Sequence, residues 1–193
     1  MAVRVAINGF GRIGRLVLRS IIESKRRDID VIAINDGGSI TGNALLLQRD
    51  SVHGNFNFSV EVNDNNLLVD NHSILFLNDR NPENLPWRKL AIDVVLECTG
   101  HFTDRDKAST HIKSGAKRVL VSAPAKGADK TIVYGVNHKS LTADDSIVSN
   151  ASCTTNCLAP LAYVLNNNVG IEKGFMTSVH AYTGDQRSLD ANH

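Results

Sequence analysis

The chain has 193 residues, 42% hydrophobic and 21% charged, with a net charge of +1. That balance suits a packed core and gives no electrostatic reason to expect nucleic acid or an acidic membrane surface as a partner. Three cysteines, no apolar leader and no apolar run of membrane-spanning length point to a reduced, cytoplasmic protein without a disulfide framework.

Residues 3–7 are a β-branched run and read as a strand. Asn8 leads into Gly9-Phe-Gly11-Arg-Ile-Gly14, after which Ile13, Val17, Leu18, Ile21 and Ile22 recur at helical spacing. Residues 29–35 form a second strand, closed by Asp36. Strand, glycine triplet, helix, strand and acid make up the dinucleotide-binding unit. Gly9 permits the tight turn, Gly11 lets the backbone approach a pyrophosphate, and Gly14 lets the helix pack closely on the strand. The pyrophosphate is expected on the helix N-terminus and the adenosine ribose on Asp36.

The alternation continues with a short helix at 41–49, a hairpin of 58–62 with 67–69 over Asp64-Asn65, and a strand at 74–77. Pro82 and Pro86 mark a loop around Trp87. A buried strand at 94–97 ends in Cys98-Thr99-Gly100, followed by a helix at 104–114 and strands at 118–122, 131–134 and 147–149. Strands separated by helices imply a mostly parallel, doubly wound α/β sheet with right-handed crossovers.

Residues 151–157 read Ala-Ser-Cys-Thr-Thr-Asn-Cys and open a helix that runs to about Val169. Cys153 then sits among unpaired N–H groups at the positive end of the helix dipole, which favours its thiolate. His180 lies in Thr177-Ser-Val-His-Ala-Tyr182, read as a strand ending in a polar loop. A cysteine at a helix start and a histidine at a strand end meet the needs of a Cys–His nucleophile pair. Such a pair also serves proteases, and the dinucleotide unit is what selects redox chemistry. Cys98 and Cys157 read as buried, no metal site is expected, and the remaining histidines, His111 among them, read as surface or loop residues.

Asn8-Gly-Phe-Gly-Arg-Ile-Gly-Arg15, Ser149-Asn-Ala-Ser-Cys-Thr-Thr-Asn156 and Val179-His-Ala-Tyr-Thr183 carry a resemblance along the whole chain to the glyceraldehyde-3-phosphate dehydrogenase family. The resemblance implies a homotetrameric enzyme that oxidises glyceraldehyde 3-phosphate with inorganic phosphate through a cysteine thioester, passing hydride to NAD or NADP. It makes Cys153 the nucleophile and His180 the base. It assigns Ser152, Thr154 and Thr183 to phosphate, and Arg12, Ile13, Asp36, Arg80, Thr99, Phe102 and Ser122 to the cofactor. It divides the chain into a dinucleotide-binding domain, 1–151, and the beginning of a catalytic domain, 152–193. Family members continue well beyond this point, so the sequence is expected to be a truncated record, inactive on its own. Gly37 after Asp36, Asn192, and the segment 79–87 resemble the branch that accepts NADP, although the Asp36 anion opposes a 2′-phosphate. Two other readings stand beside this one: an erythrose-4-phosphate dehydrogenase, and a non-catalytic nucleotide- or RNA-binding fragment.

Overall fold

The computed structural model describes residues 2–181. β1 (Val3–Asn8), α1 (Arg12–Glu23), β2 (Ile29–Asn35) and α2 (Ile40–Gln48) come first. A short ladder of β3 (Arg49–Asp50) with β4 (Gly54–Asn55) precedes the hairpin β5 (Val60–Asn63) and β6 (Asn66–Val69), then β7 (His72–Leu77). β8 (Val94–Glu97), α3 (Arg105–Lys113), β9 (Arg118–Val121), β10 (Lys130–Thr131), β11 (Ile147–Ser149) and α4 (Cys153–Val169) complete the order.

Among the described residues a nine-stranded sheet runs β10-β11-β9-β8-β1-β2-β7-β6-β5. Every pairing from β10 to β7 is parallel, and β6 and β5 extend it as an antiparallel hairpin. This is the doubly wound, mostly parallel α/β sheet expected. Period-two alternation sends Ile7, Ile34 and Phe76 to one layer with Leu18 and Leu47 of α1 and α2. Ala6, Ala33 and Val95 face the other, where the small residues leave room for the fully buried Trp87 indole. Ala108 of α3 packs on Val119, Val121 and Ile147.

α1 also buries two arginines. Arg15 Nη1 donates to the Phe10 carbonyl at 2.9 Å, and Arg19 lies 5.0 Å over the Phe56 ring while donating to the Gly54 carbonyl. Buried cations are tolerated here because backbone carbonyls and a ring face receive them.

Three local expectations need correction. The strand at 131–134 shrinks to Lys130–Thr131, because Val133 enters a turn: its N–H donates to Asn137 Oδ1 at 2.8 Å and its carbonyl accepts from Val136 and Asn137. Residues 171–181 form no strand, since no ladder partner lies beside them among the described residues. Cys157 is exposed because no residue of α4 is buried by the described residues. Leu161, Val164 and Val169 of α4, and Phe175 and Val179 beyond it, are likewise exposed.

Candidate active site

Strand order reverses at β1, which has β2 on one side and β8 on the other. Beyond the C-terminal ends of these strands lies a cleft of about 610 Å³, lined by Asn8, Gly9, Gly11, Asn35, Asp36, Arg80, Thr99, Phe102 and their neighbours. Such reversal points are where open α/β sheets hold ligands. The glycines have distinct reasons. Gly9 is left-handed (φ +90°), and a Cβ there would stand 2.7 Å from the Thr99 nitrogen. A Cβ on Gly14 would stand 2.2 Å from the Gly9 carbonyl oxygen, so the helix leaves the strand with no side chain between them. A Cβ on Gly11 would meet nothing within 4 Å. Its space is open, and α1 begins there without a side-chain cap, so its first N–H groups are available to an anion. This cradle fits the pyrophosphate of a dinucleotide.

Asp36 holds the loop as well as facing the cleft. Its Oδ2 accepts from Phe10 N at 2.8 Å, and its Oδ1 accepts from Gly38 N at 2.8 Å and Asn43 Nδ2 at 3.0 Å. Protein donors therefore occupy most of its roughly four acceptor positions, leaving one direction for a ribose hydroxyl. Gly37, also on the cleft, leaves open space where a Cβ would be.

Cys153 and His180 come together as expected. Cys153 Sγ lies 2.9 Å from His180 Nε2, and His180 Nδ1 is 2.6 Å from the Ala181 carbonyl oxygen, an acceptor that places a proton on Nδ1. The hydrogen bond from His180, with others from Thr154, holds the Cys153 thiol below its ordinary range. The Ala181 carbonyl first, and then the sulfur, raise His180. Burial instead pushes the Cys98 thiol up to about 11, despite a hydrogen bond with Ser122. Of these two thiols, Cys153 is therefore the nucleophilic one.

The turn that presents Cys153 is constrained. Ala151 is left-handed (φ +57°) and buried, an uncommon state for a residue with a Cβ. Asn156 Nδ2 clamps this turn by donating to the Asn150 carbonyl at 2.7 Å and the Ser152 carbonyl at 2.9 Å. Ser152 Oγ caps α4 by accepting from Thr155 N at 3.0 Å. β8, β9 and β11 are parallel neighbours, so Thr99, Ser122 and the Cys153 turn all emerge on one edge of the sheet.

The remaining expected positions divide. Gly9, Gly11, Asp36, Arg80, Thr99 and Phe102 line the cleft; Arg12, Ile13, Gly14 and Ser122 do not. Arg12 pairs with Asp50 at 3.1 Å, and the Ile13 side chain is half exposed, so what these two offer a pyrophosphate is backbone N–H at the helix start. Thr183 and Asn192 lie outside the described residues. Sequence reasoning missed His111, which is fully buried, and Glu97, buried at the end of β8. The signal was His111 standing three residues after the buried Ala108, on the inner face of α3. Among the described residues no cluster of three or more His, Cys, Asp or Glu side chains is arranged for a metal ion, and no helix is long and apolar enough to cross a membrane.

The fold and cleft define a dinucleotide-binding α/β protein that carries a thiol–imidazole pair at the same sheet edge. Residues 3–105 match the family model "Glyceraldehyde 3-phosphate dehydrogenase, NAD binding domain", and residues 152–193 match that family's C-terminal domain. The chain belongs to the glyceraldehyde 3-phosphate dehydrogenase family. It is 62% identical over 193 residues to the glyceraldehyde-3-phosphate dehydrogenase of Xanthobacter flavus, 60% over 193 residues to that of Cereibacter sphaeroides and 56% over 194 residues to that of Zymomonas mobilis. All of this chain is covered in each case, and it spans 58%, 57% and 58% of those relatives respectively.

Proposed function

We infer that the chain is part of a cytoplasmic, tetrameric oxidoreductase that converts glyceraldehyde 3-phosphate and inorganic phosphate to an acyl phosphate. The observation that carries this reading is the 2.9 Å Cys153–His180 pair on the same sheet edge as the dinucleotide cleft. The Cys153 thiolate adds to the aldehyde carbon, and free N–H groups at the start of α4 steady the developing oxyanion. His180 Nε2, carrying the proton it took from the Cys153 thiol, gives that proton to the oxyanion to form the hydroxyl and takes it back as the hydride leaves. Bound NAD supplies the hydride acceptor for that step. The thioester left on Cys153 keeps the acyl group activated until phosphate displaces the sulfur and regenerates the thiolate. Ser152, Thr154 and Thr183 are the hydroxyl donors for the phosphate groups, and the domain boundary falls between Ala151 and Ser152.

Gly9, Gly11 and the backbone N–H groups of Arg12 and Ile13 at the uncapped start of α1 hold the pyrophosphate, Asp36 the adenosine ribose, and Thr99 and Phe102 the rest of the cofactor. Gly14 keeps α1 close to β1, and Ser122 stands on the same sheet edge. Dual use of NAD and NADP is supported by two features of the cleft, against the opposing Asp36 anion: Gly37 is open, and Arg80 supplies a cation on the lining.

The test follows reduced-nicotinamide absorbance with the gene product at its natural length. Glyceraldehyde 3-phosphate and phosphate are supplied with NAD or NADP in turn. Turnover abolished by alkylating Cys153 is expected. Faster turnover on erythrose 4-phosphate would reassign the substrate, and no turnover on either aldehyde would overturn the reading.

A further inference from the structure

We propose that Glu97 is the positioning residue of the dinucleotide cleft, an acceptor-only anchor whose buried hydrogen bonds orient both walls of the strand crossover. The proposal deepens the cofactor reading above and rests on it.

Four donors converge on this one carboxylate. Oε1 accepts from the Thr99 N–H at 2.8 Å and from the Thr99 hydroxyl; Oε2 accepts from Asn8 Nδ2 at 2.6 Å and His111 Nε2 at 3.0 Å. Glu97 is 1% exposed and His111 is fully buried. Every one of its roughly four acceptor positions is thus met by a donor. Trp87 sets the direction of the whole string. Its indole Nε1 can only donate, and it does so to His111 Nδ1 at 3.0 Å. The neutral imidazole must then carry its proton on Nε2 and donate it to Glu97.

The same logic runs toward the cleft. Since Asn8 must present Nδ2 to the carboxylate, its Oδ1 faces away and accepts from Asn35 Nδ2 at 2.7 Å. Asn35 then exchanges two hydrogen bonds with the Asp79 backbone: Nδ2 to the carbonyl at 2.9 Å, and Oδ1 from the N–H at 2.9 Å. A fixed polarity thus passes from Trp87 to the loop that bears Arg80. Asn8, Asn35, Asp79 and Thr99 all line the cleft. Thr99 is also the residue whose nitrogen would stand 2.7 Å from a Gly9 Cβ, so Glu97 ties the Thr99 backbone to the side chain of Asn8, the residue before Gly9, at this close approach. Fully satisfied buried networks of this kind fix one geometry.

The experiment uses the gene product at its natural length. A long-range ¹H–¹⁵N spectrum of the cofactor-free protein should place the His111 proton on Nε2; an Nδ1–H tautomer overturns the proposal. Glu97→Gln keeps the shape but turns an amide donor toward donors, and should weaken NAD at least tenfold by isothermal titration. An unchanged affinity overturns the anchor. Trp87→Phe frees His111 to move its proton to Nδ1, so that Nε2 accepts from the introduced amide. The double variant Trp87→Phe/Glu97→Gln should therefore bind NAD more tightly than Glu97→Gln alone. Additive losses, as packing alone would give, overturn the network. Should Glu97→Gln not fold, Trp87→Phe decides: a mixed His111 tautomer with about threefold weaker NAD is expected, and an unmixed tautomer with unchanged affinity refutes. Wild-type protein that binds no dinucleotide overturns the cofactor reading separately, since the tautomer is read without cofactor.

Discussion

Gly9 and Gly11 stand two residues apart and should fail in opposite ways when each is given a methyl group. Gly9→Ala places a Cβ 2.7–2.8 Å from backbone atoms of Cys98 and Thr99, none of which is the free end of a side chain. A left-handed alanine costs about 1–2 kcal/mol, and forcing backbone apart in a packed site adds about 1–3 kcal/mol. Near 3 kcal/mol in sum corresponds to a melting temperature lower by roughly 6–12 °C for a domain of this size. Gly11→Ala meets nothing within 4 Å and has ordinary backbone angles (φ −69°), so its melting temperature should stay within about 1 °C. The new methyl instead occupies the approach of the pyrophosphate, and NAD affinity should fall at least about tenfold. Differential scanning fluorimetry without cofactor, followed by isothermal titration with NAD, separates the two effects. A Gly11→Ala protein that unfolds like Gly9→Ala, or that binds NAD as the parent does, refutes the division of labour.

The Cys153–His180 contact predicts a pH signature. Because His180 holds the thiol below its ordinary range, alkylation by iodoacetamide should rise with pH through that lowered value. His180→Ala should move the rise upward and slow labelling at pH 7, and an unshifted profile would dismiss the pairing. Asn156→Ala removes both clamps on the Ala151 turn and should slow Cys153 alkylation about three- to tenfold, with a stability loss of about 1–2 kcal/mol in urea unfolding; unaltered labelling would count against the clamp. Asp129 accepts from Ile147 N, Ser146 N, the Ser146 hydroxyl and Arg105, and its carboxyl lies well below the usual range, with the Ile147 N–H the largest cause. A depressed folded-state pKa gives stability that is present above the unfolded carboxyl value and lost as pH falls through the folded one. Asp129→Asn should cost about 1–3 kcal/mol at pH 7, with the deficit shrinking in acid, and a deficit that holds constant down to pH 2 would contradict this.

Segments governed by their own neighbours were legible before any coordinates. β2 and β11 fall on the expected residues, and α4 begins at Cys153 and ends at Val169, because β-branched runs, capping residues and glycines act locally. The glycine turn was legible for the same reason, and the thiol–imidazole pair from the helix start at Cys153 and the motifs that carry the family resemblance, although the strand expected to end at His180 does not form among the described residues. What escaped depends on partners far away in sequence. His111 looks polar until Trp87 and Glu97 meet it inside the protein. The β3–β4 ladder is too short to leave a pattern. Thr177 to His180 has strand composition, yet extended chain becomes a strand only where another lies beside it. Asp36 lies on the cleft, but its three protein donors belong to a loop geometry that no motif encodes.

The left-handed Ala151 also sets how this region can change over evolutionary time. Between Ser149, fixed in the sheet, and Cys153, the first residue of α4, the chain has three residues in which to reverse direction. Each helical residue turns the next side chain by about 100°. One residue gained or lost here would swing the sulfur away from His180 even if every surrounding side chain were preserved. The spacing is therefore under tighter constraint than most of the side chains that surround it, and a lineage could replace much of the α4 surface long before it tolerated a single insertion at the elbow.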